Sequence, residues 1–150
     1  MTVAELRQAT DVDLGASDWV RVTQEMVDGF ADATLDHQWI HVDPERAKDG
    51  PFGTTIAHGY LTLSLLPHFV SQIVSVPDKR MGVNYGIDRL RLTAPVKVGS
   101  RVRGRGVLKG AEDKAGGVLY RIEVTVEIED EERPALVGEI LYVVYGPESA

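Results

Sequence analysis

The sequence predicts one α+β domain in which an antiparallel β-sheet wraps around a long central α-helix. Residues 60–76 form an almost uniformly apolar helical segment, and a helix of that kind must be enclosed by other elements. About four long segments of strand character follow it toward the end of the chain. With 150 residues and a hydrophobic content of 43%, the chain suits a single domain, which we expect over residues 1–150.

Composition narrows the class of protein. The chain has no cysteine, which removes disulfides and thiolate chemistry and fits a reducing cytoplasm, our expected location. The first residues lack a basic start followed by an apolar run, so no secretory signal is expected. The net charge of −7 argues against nucleic-acid binding, and the 17 residues of segment 60–76 are too short and too polar for a membrane span. We therefore expect neither a nucleic acid nor a membrane as partner.

Caps and helical spacing predict the elements in the first half of the chain. No element is assigned to residues 1–18, and residues 19–22 form a short β-prone run. Thr23 suits the N-cap of a helix that should end near Leu35 and bury a stripe of Met26, Val27, Phe30, Ala31 and Thr34. Asp43 and Pro44 suit the cap and the first position of a brief second helix.

Prolines and the alternation of apolar with polar residues predict the elements in the second half of the chain. Pro67 should bend or interrupt the apolar helix, because its ring removes one backbone hydrogen bond, and Pro77 should end the helix. Strands are expected over residues 83–92, with a bulge near 86–89, and over 101–106 and 118–129. A hairpin turn is expected at Ala115-Gly116-Gly117. Residues 135–145 are apolar on both faces and should lie inside the sheet.

The stretch from residue 35 to residue 44 is the candidate functional site. It mixes Asp36, His37, His41 and Asp43 with Trp39, and ionisable groups held beside apolar side chains tend to have shifted pKa values. The alternative is a solvated loop between two helices. His37 and His41, with Asp36 and Asp43, would also suit a metal site, but the expected break in the helix disperses them, and we expect no metal.

Three separated features carry a family resemblance. The first is Phe30, then Leu35-Asp36-His37-Gln38-Trp39-Ile40-His41, then Ala47. The second is Ile56-Ala57-His58-Gly59, and the third is Leu92-Thr93-Ala94-Pro95-Val96-Lys97-Val98-Gly99. Together they resemble the MaoC-like, (R)-specific enoyl-CoA hydratase family, whose members have the hot-dog fold. The D-H-Q-W-I-H form is similar to the branch grouped with nodulation protein N.

The resemblance implies a lyase of fatty acid metabolism. It would add water to a trans-2-enoyl-CoA to give the (3R)-3-hydroxyacyl-CoA, or catalyse the reverse dehydration, with no cofactor beyond the coenzyme A of the substrate. Asp36 and His41 would hold one water, with Asp36 as base. The Gly59 N–H would stabilise the thioester oxyanion, with Gln38 and His58 in supporting roles. Leu35, Gln38 and Trp39 stand where the family usually has Gly, Asn and Pro.

The resemblance also implies partners. An acyl-CoA thioester would lie in a tunnel between the central helix and the sheet, and the protein would pair as a homodimer. The basic stretch of residues 79–114 offers candidates for the coenzyme A phosphates, namely Arg89, Arg91, Arg101, Arg103 and Arg105.

Two other functions remain open from the sequence. A hot-dog acyl-CoA thioesterase also needs an acidic residue and a helix N-terminus for an oxyanion, but it cleaves the thioester. A non-catalytic acyl-binding module would keep the fold without the chemistry. The spacing of Asp36 and His41 favours hydration over thioester cleavage, and the departures at Leu35, Gln38 and Trp39 keep the acyl-binding module open.

Overall fold

A six-stranded antiparallel sheet packs against two consecutive helices in the computed structural model, which describes residues 1–147. The helices are α1 Val3–Gln8, α2 Gln24–Thr34, α3 Trp39–Val42, α4 Pro44–Ala47, α5 Gly59–Ser64 and α6 Leu66–Ile73. The strands are β1 Val12–Ala16, β2 Val20–Arg21, β3 Met81–Leu92, β4 Arg101–Lys114, β5 Gly117–Ile128 and β6 Leu136–Tyr145. Across this described range, no helix has both the length and the apolar character needed to cross a membrane.

The sheet has the strand order β1-β4-β5-β6-β3, and β2 also pairs with β4. Strand β6 lies between β5 and β3, which confirms that residues 135–145 form an interior strand. The hairpin between β4 and β5 turns at Ala115 and Gly116, which have φ values of 51° and 80°. A two-residue turn of this type requires positive φ at both central positions, so the glycine is placed where the geometry needs it.

Helices α5 and α6 are the predicted central helix, interrupted at Leu65. The break lies just before Pro67, at the position expected from its missing N–H and its steric conflict with the preceding turn. Phe69 on α6 is fully buried and packs directly on Gly104 of β4, where an added Cβ would lie 2.6 Å from the Phe69 Cβ. This close approach fixes the helix against the concave face of the sheet.

Strand β3 contains the predicted irregularity, in two steps. Its register against β6 shifts between Asn84 and Gly86 and again between Asp88 and Arg91. Arg89 has a φ of 53°, and the second shift changes which side chains face inward, so that Leu90 packs on the core. Leu92 reaches the beginning of α5, where it covers Gly59. The bulge therefore brings the end of β3 next to the candidate site.

The first 18 residues form two elements to which the sequence analysis assigned nothing. Helix α1 begins with a capping box in which Thr2 accepts from the Glu5 N–H and Glu5 accepts from the Thr2 N–H. Val3 and Leu6 bury its inner face in the main core, and β1 pairs with β4. The T-x-x-E signature was visible in the sequence and predicts such a helix start.

Candidate active site

Asp36 stands at the C-terminal end of α2. Leu35 adopts the left-handed conformation, with φ 63° and ψ 29°, and turns the chain out of the helix. The Asp36 N–H then donates to the carbonyl of Ala31 at 3.1 Å, a six-to-one bond that closes the helix end. The Asp36 side chain is 54% exposed, so the carboxylate faces the solvent side of the site and is open to a ligand.

His41 lies on the short helix α3 and is 7% exposed. Its ring Nδ1 lies 2.7 Å from the carbonyl oxygen of Ile56. A carbonyl can only accept, so Nδ1 carries the hydrogen, and in the neutral ring Nε2 keeps its lone pair. The backbone of Ile56 thus fixes the tautomer of His41 and leaves Nε2 as a proton acceptor.

A short extended segment, residues 55–57, holds that carbonyl in place. The Ile56 N–H donates to Ile40 at 3.0 Å, and the Ala57 N–H donates to Val96 at 2.8 Å. On the other side, the Gln24 amide donates to the His41 carbonyl at 2.8 Å and accepts from the Thr55 hydroxyl at 2.6 Å. Sequence reasoning missed this support, although the β-prone run Thr54-Thr55-Ile56 was a signal for an extended segment.

His58, the N-cap of α5, joins Asp36 to His41. It is 3% exposed, and its Nε2 donates to the backbone carbonyl of Asp36 at 3.0 Å. Its ring stacks on the ring of His41, with centroids 3.8 Å apart and planes inclined by 23°. The Phe30 ring also contacts it, with a centroid separation of 4.9 Å. Its Nδ1 is buried, with no hydrogen-bond partner within residues 1–147. The A-H-G run of residues 57–59 therefore provides the His58 side chain to the site, in addition to the backbone that begins α5.

Asp36, His41 and His58 form one cluster. A carboxylate oxygen and one nitrogen from each ring all lie within 4.8 Å of one another. Two hydrogen bonds of about 2.8 Å that meet at a tetrahedral angle span about 4.6 Å, which is inside this limit. Burial lowers the pKa of His41 below its ordinary 6.5, and the His58 ring lowers it further, against the raising effects of the Ile56 carbonyl and Asp36.

The residues considered for a metal do not come together as a set. His37 is exposed and pairs with Asp32 at 2.8 Å, and Asp43 caps α4 by accepting from Arg46 at 3.1 Å. The cluster that does form contains two stacked imidazoles. A metal ion bound to both imidazoles would have to lie near both ring planes, at about 2.0–2.1 Å from each nitrogen. Two stacked rings do not allow this unless one of them turns.

Gly59 lies beside His41 on the wall of a cavity of about 200 Å³. As the first residue of α5 it has an N–H without an intrahelical acceptor. An added Cβ at Gly59 would lie 2.2 Å from the Leu92 Cδ1, so only glycine leaves the present space between α5 and the end of β3. The remaining wall is mainly apolar, and includes Ile56, Ala94, Pro95 and Val96.

Gln38 and Trp39 stand apart from the cluster. Gln38 is exposed and occupies the N-cap of α3 without a side-chain hydrogen bond to the helix. The Trp39 ring packs against Gly50 and lies 4.3 Å from the Arg46 guanidinium. The Trp at this position therefore holds α3 to α4, and the Gln38 backbone N–H donates to the Asp36 Oδ1 at 3.4 Å.

Four of the five candidate arginines are paired with carboxylates. Arg103 and Arg105 both bind Glu127, Arg101 binds Glu129, and Arg89 binds Glu139. The three on β4 alternate with Val102, Gly104 and Gly106, which face the helix, so they project from the opposite face of the sheet. Arg91 is exposed, donates to the Leu90 carbonyl at 2.8 Å, and lies one residue from Leu92. Of these five arginines, Arg91 alone lies near the cavity and has no carboxylate partner among residues 1–147.

Comparison with known proteins places these features in context. The family model of the MaoC-like domain matches residues 5–130. The chain is 52% identical over 139 residues to 3-hydroxyacyl-thioester dehydratase Z of Mycobacterium tuberculosis, covering 92% of each protein. It is 48% identical over 147 residues to nodulation protein N of Rhizobium leguminosarum, covering 96% of this chain and 91% of the relative.

Solved structures agree on the fold. The unliganded R-hydratase PhaJ1 of Pseudomonas aeruginosa superposes with a TM-score of 0.77 at 21% identity, covering 97% of this chain and 86% of that one. A protein from Archaeoglobus described as a monoamine oxidase regulatory protein gives 0.77 at 23% identity, covering 93% and 92%. These likenesses, with the antiparallel sheet around α5 and α6, confirm the predicted hot-dog fold.

Proposed function

The chain belongs to the MaoC-like domain family, and from this premise we propose that it is a hydratase/dehydratase of 3-hydroxyacyl thioesters. The more specific proposal is the addition of water to a trans-2-enoyl-CoA to give the (3R)-3-hydroxyacyl-CoA, and the reverse dehydration. Support comes from the relative named 3-hydroxyacyl-thioester dehydratase Z. The R configuration and the coenzyme A carrier rest on the resemblance of the Asp36–His41 motif to that of the (R)-specific hydratases.

The observation that carries the proposal is the approach of an Asp36 carboxylate oxygen and a His41 ring nitrogen to within 4.8 Å of each other. Both groups offer acceptors, namely the carboxylate oxygens of Asp36 and the lone pair on the His41 Nε2. A water that donates one hydrogen to each keeps an oxygen lone pair for attack. The low pKa of His41 keeps that acceptor available at neutral pH.

Each bond change in hydration is assigned to a group in the site. The water oxygen forms a bond to C3 of the enoyl group, and Asp36 takes the proton that the water loses. His41 orients the water and shares the proton transfer, and the pair delivers one proton to C2. Dehydration follows the same path in reverse, with the proton removed from C2 and hydroxide leaving C3 as water.

Gly59 is proposed to stabilise the negative charge that develops on the thioester oxygen. Its N–H lies at the start of α5, where the helix dipole is positive, and the absence of a Cβ lets a carbonyl approach. Donors of this kind contribute a rate factor of about 10²–10³ when they are aimed at the developing charge. The cavity beside Gly59 and His41 would hold the reacting carbons.

A second cavity of about 380 Å³ is our proposed place for the acyl chain. It lies between the helix break and strands β3 and β6, and its apolar lining includes Leu63, Leu66, Pro67, Ile87 and Ile140. An apolar wall of this kind suits an alkyl chain. Its position between the helix break and the sheet is compatible with the tunnel that the family resemblance implies.

A homodimer remains our proposal for the assembly. Strand β3 is 12 residues long and stands at the edge of the sheet. It exposes Met81, Val83 and Tyr85, each 44–53% accessible. Long apolar edge strands invite pairing with another chain, and a sedimentation measurement of mass in solution tests the proposal.

Incubation with crotonyl-CoA tests the proposed reaction against thioester cleavage. Hydration removes the enoyl absorbance and releases no thiol, whereas a thioesterase releases free coenzyme A and leaves the double bond intact. Chiral analysis of the 3-hydroxybutyryl product should give the R enantiomer. Thiol release without loss of enoyl absorbance would overturn the hydratase proposal, and saturable binding without either change would indicate an acyl-binding module.

A further inference from the structure

His58 contacts both residues to which the proposed function gives the chemistry. Its Nε2–H binds the backbone carbonyl of Asp36 at 3.0 Å, and its ring stacks on His41 at 3.8 Å. It is also among the few buried polar residues of the chain, at 3% exposure. A histidine that served only to fill the core would not need a directed bond to one catalytic residue and a stack on the other.

We infer that His58 is the positioning residue of the site: it holds Asp36 and the ring of His41 at the separation that one water can bridge. The inference rests on the proposed function, which assigns the reaction to Asp36 and His41. It gives His58 two separable tasks. The N–H fixes the chain at Asp36, and the flat ring fixes the plane of His41 and keeps solvent from that face.

The hydrogen bonding also argues against His58 as a proton carrier. The Asp36 carbonyl accepts, so Nε2 of His58 holds a hydrogen, and among residues 1–147 its buried Nδ1 has no hydrogen-bond partner. The Asp36 Oδ2 lies 4.0 Å from that Nε2, beyond hydrogen-bond distance. His58 therefore acts through its neighbours and does not exchange protons with the substrate.

Few charged or titratable groups face the stack. His41 feels His58 from the start of α5 and Asp36 from the end of α2, together with the Ile56 carbonyl. Phe30, the other ring against His58, is neutral. A substitution at His58 should therefore change the titration of His41, because it removes the ionisable neighbour that lowers the His41 pKa.

Two variants separate the two tasks. His58→Phe keeps a flat ring against His41 but cannot donate to Asp36, and His58→Gln keeps a donor but loses the stack. His68→Gln is the matched control, since His68 is exposed on α6 and pairs with Gln72. Thermal unfolding followed by circular dichroism identifies which variants are folded.

Two readouts test the inference. In turnover of crotonyl-CoA, each His58 variant should lower kcat about tenfold with little change in KM, as expected for loss of one hydrogen bond or ring contact in the transition state. The acid limb of kcat/KM should move to higher pH in both variants. In NMR titrations of the protein without substrate, the His41 midpoint should rise in both, whereas His68→Gln should match the wild type.

The NMR readout keeps the two proposals distinguishable. If the wild type turns over no enoyl or 3-hydroxyacyl thioester, the proposed function fails, and the His41 midpoint alone decides whether His58 sets the state of that ring. A folded His58→Phe or His58→Gln protein with the wild-type midpoint and acid limb would overturn the inference, even if kcat fell. If one variant does not fold, the other carries the test by the same criteria.

Discussion

The imidazole rings of His41 and His58 stack with centroids 3.8 Å apart, and each donates an N–H to a backbone carbonyl, His41 to Ile56 and His58 to Asp36. These two backbone carbonyls, rather than a carboxylate, fix the tautomers of His41 and His58. They leave the Nε2 of His41 as an acceptor, and one nitrogen of that ring lies within 4.8 Å of an Asp36 carboxylate oxygen.

Folding stability should depend on pH through His41. Its folded pKa lies below the ordinary 6.5 of the unfolded chain, chiefly because burial disfavours the charged ring. The unfolded chain therefore binds a proton first on acidification. The His41 contribution is complete above pH 6.5 and is lost as the pH falls from there toward the folded pKa.

Urea unfolding at about pH 7.5 and pH 5.5 measures this effect. The wild type should lose more free energy of unfolding between the two conditions than His41→Gln, which has no ring to protonate. His37→Gln, at an exposed site, serves as the control and should behave as the wild type. An equal loss in wild type and His41→Gln would mean that His41 titrates normally.

Alanine at two glycines should separate activity from stability. At Gly59 the new Cβ would meet the end of Leu92, a half-exposed side chain that can swing away, so we expect a stability cost below about 1 kcal/mol. At Gly104 it would meet the Cβ of fully buried Phe69, which cannot move freely, so we expect a cost of about 1–3 kcal/mol.

Kinetics complete the comparison of the two glycines. Gly59→Ala should lower kcat/KM for crotonyl-CoA by at least about tenfold, because the methyl occupies space that the thioester carbonyl needs. Gly104→Ala should retain the wild-type kcat at a temperature where it is folded. Unchanged kinetics in Gly59→Ala would remove the oxyanion assignment of Gly59.

Arg91 should be the coenzyme A contact among the five candidate arginines. A single exposed charge–phosphate contact contributes up to about 1 kcal/mol, so Arg91→Gln should raise KM for a CoA thioester by about fivefold at low salt. Arg103→Gln, whose charge is paired with Glu127, should leave KM unchanged. The corresponding N-acetylcysteamine thioester has no phosphates, and its KM should respond to neither change; an effect on both substrates would contradict a phosphate contact.

Leu35→Gly should stabilise the protein. Leu35 is 83% exposed and left-handed, so glycine removes little buried surface and relieves a conformation that costs an L-residue about 1–2 kcal/mol. Glycine also raises the conformational entropy of the unfolded chain, which offsets part of that gain. The expected increase in the free energy of unfolding is therefore about 0.5–1 kcal/mol. Urea unfolding measures it, with Leu35→Ala as the control that keeps the strain. A decrease in Leu35→Gly would show that the Leu side chain itself contributes.

The sequence predicts those parts of the molecule that depend on local pattern. The helix start at Thr23, the break before Pro67 and the turn at Gly116 each follow from the chemistry of one or two neighbouring residues. Helix α1 was missed although its capping box is a local signal. The helix has only six residues, too few to show a clear periodic pattern of apolar side chains.

The site was only partly predictable, because several of its contacts join segments that are distant in the sequence. Asp36 and His41 are five residues apart, and their convergence follows from the turn at Leu35 and the short helix α3. The Ile56 carbonyl and the His58 stack depend on contacts between segments 15–22 residues apart, which no local pattern specifies. The arginines of β4 form a charge run in the sequence, but their partners are Glu127 on the neighbouring strand β5 and Glu129 in the turn that follows it.

The central claim is that Asp36 and His41 act together on one water, and turnover of crotonyl-CoA by Asp36→Asn, His41→Gln and the double variant tests it most directly. Each single change should lower kcat by about 10²–10⁴-fold, and the double variant should be little worse than the poorer single, because either change disables the same step. His37→Gln should keep the wild-type rate. Turnover that survives in the double variant near the wild-type rate would contradict the claim.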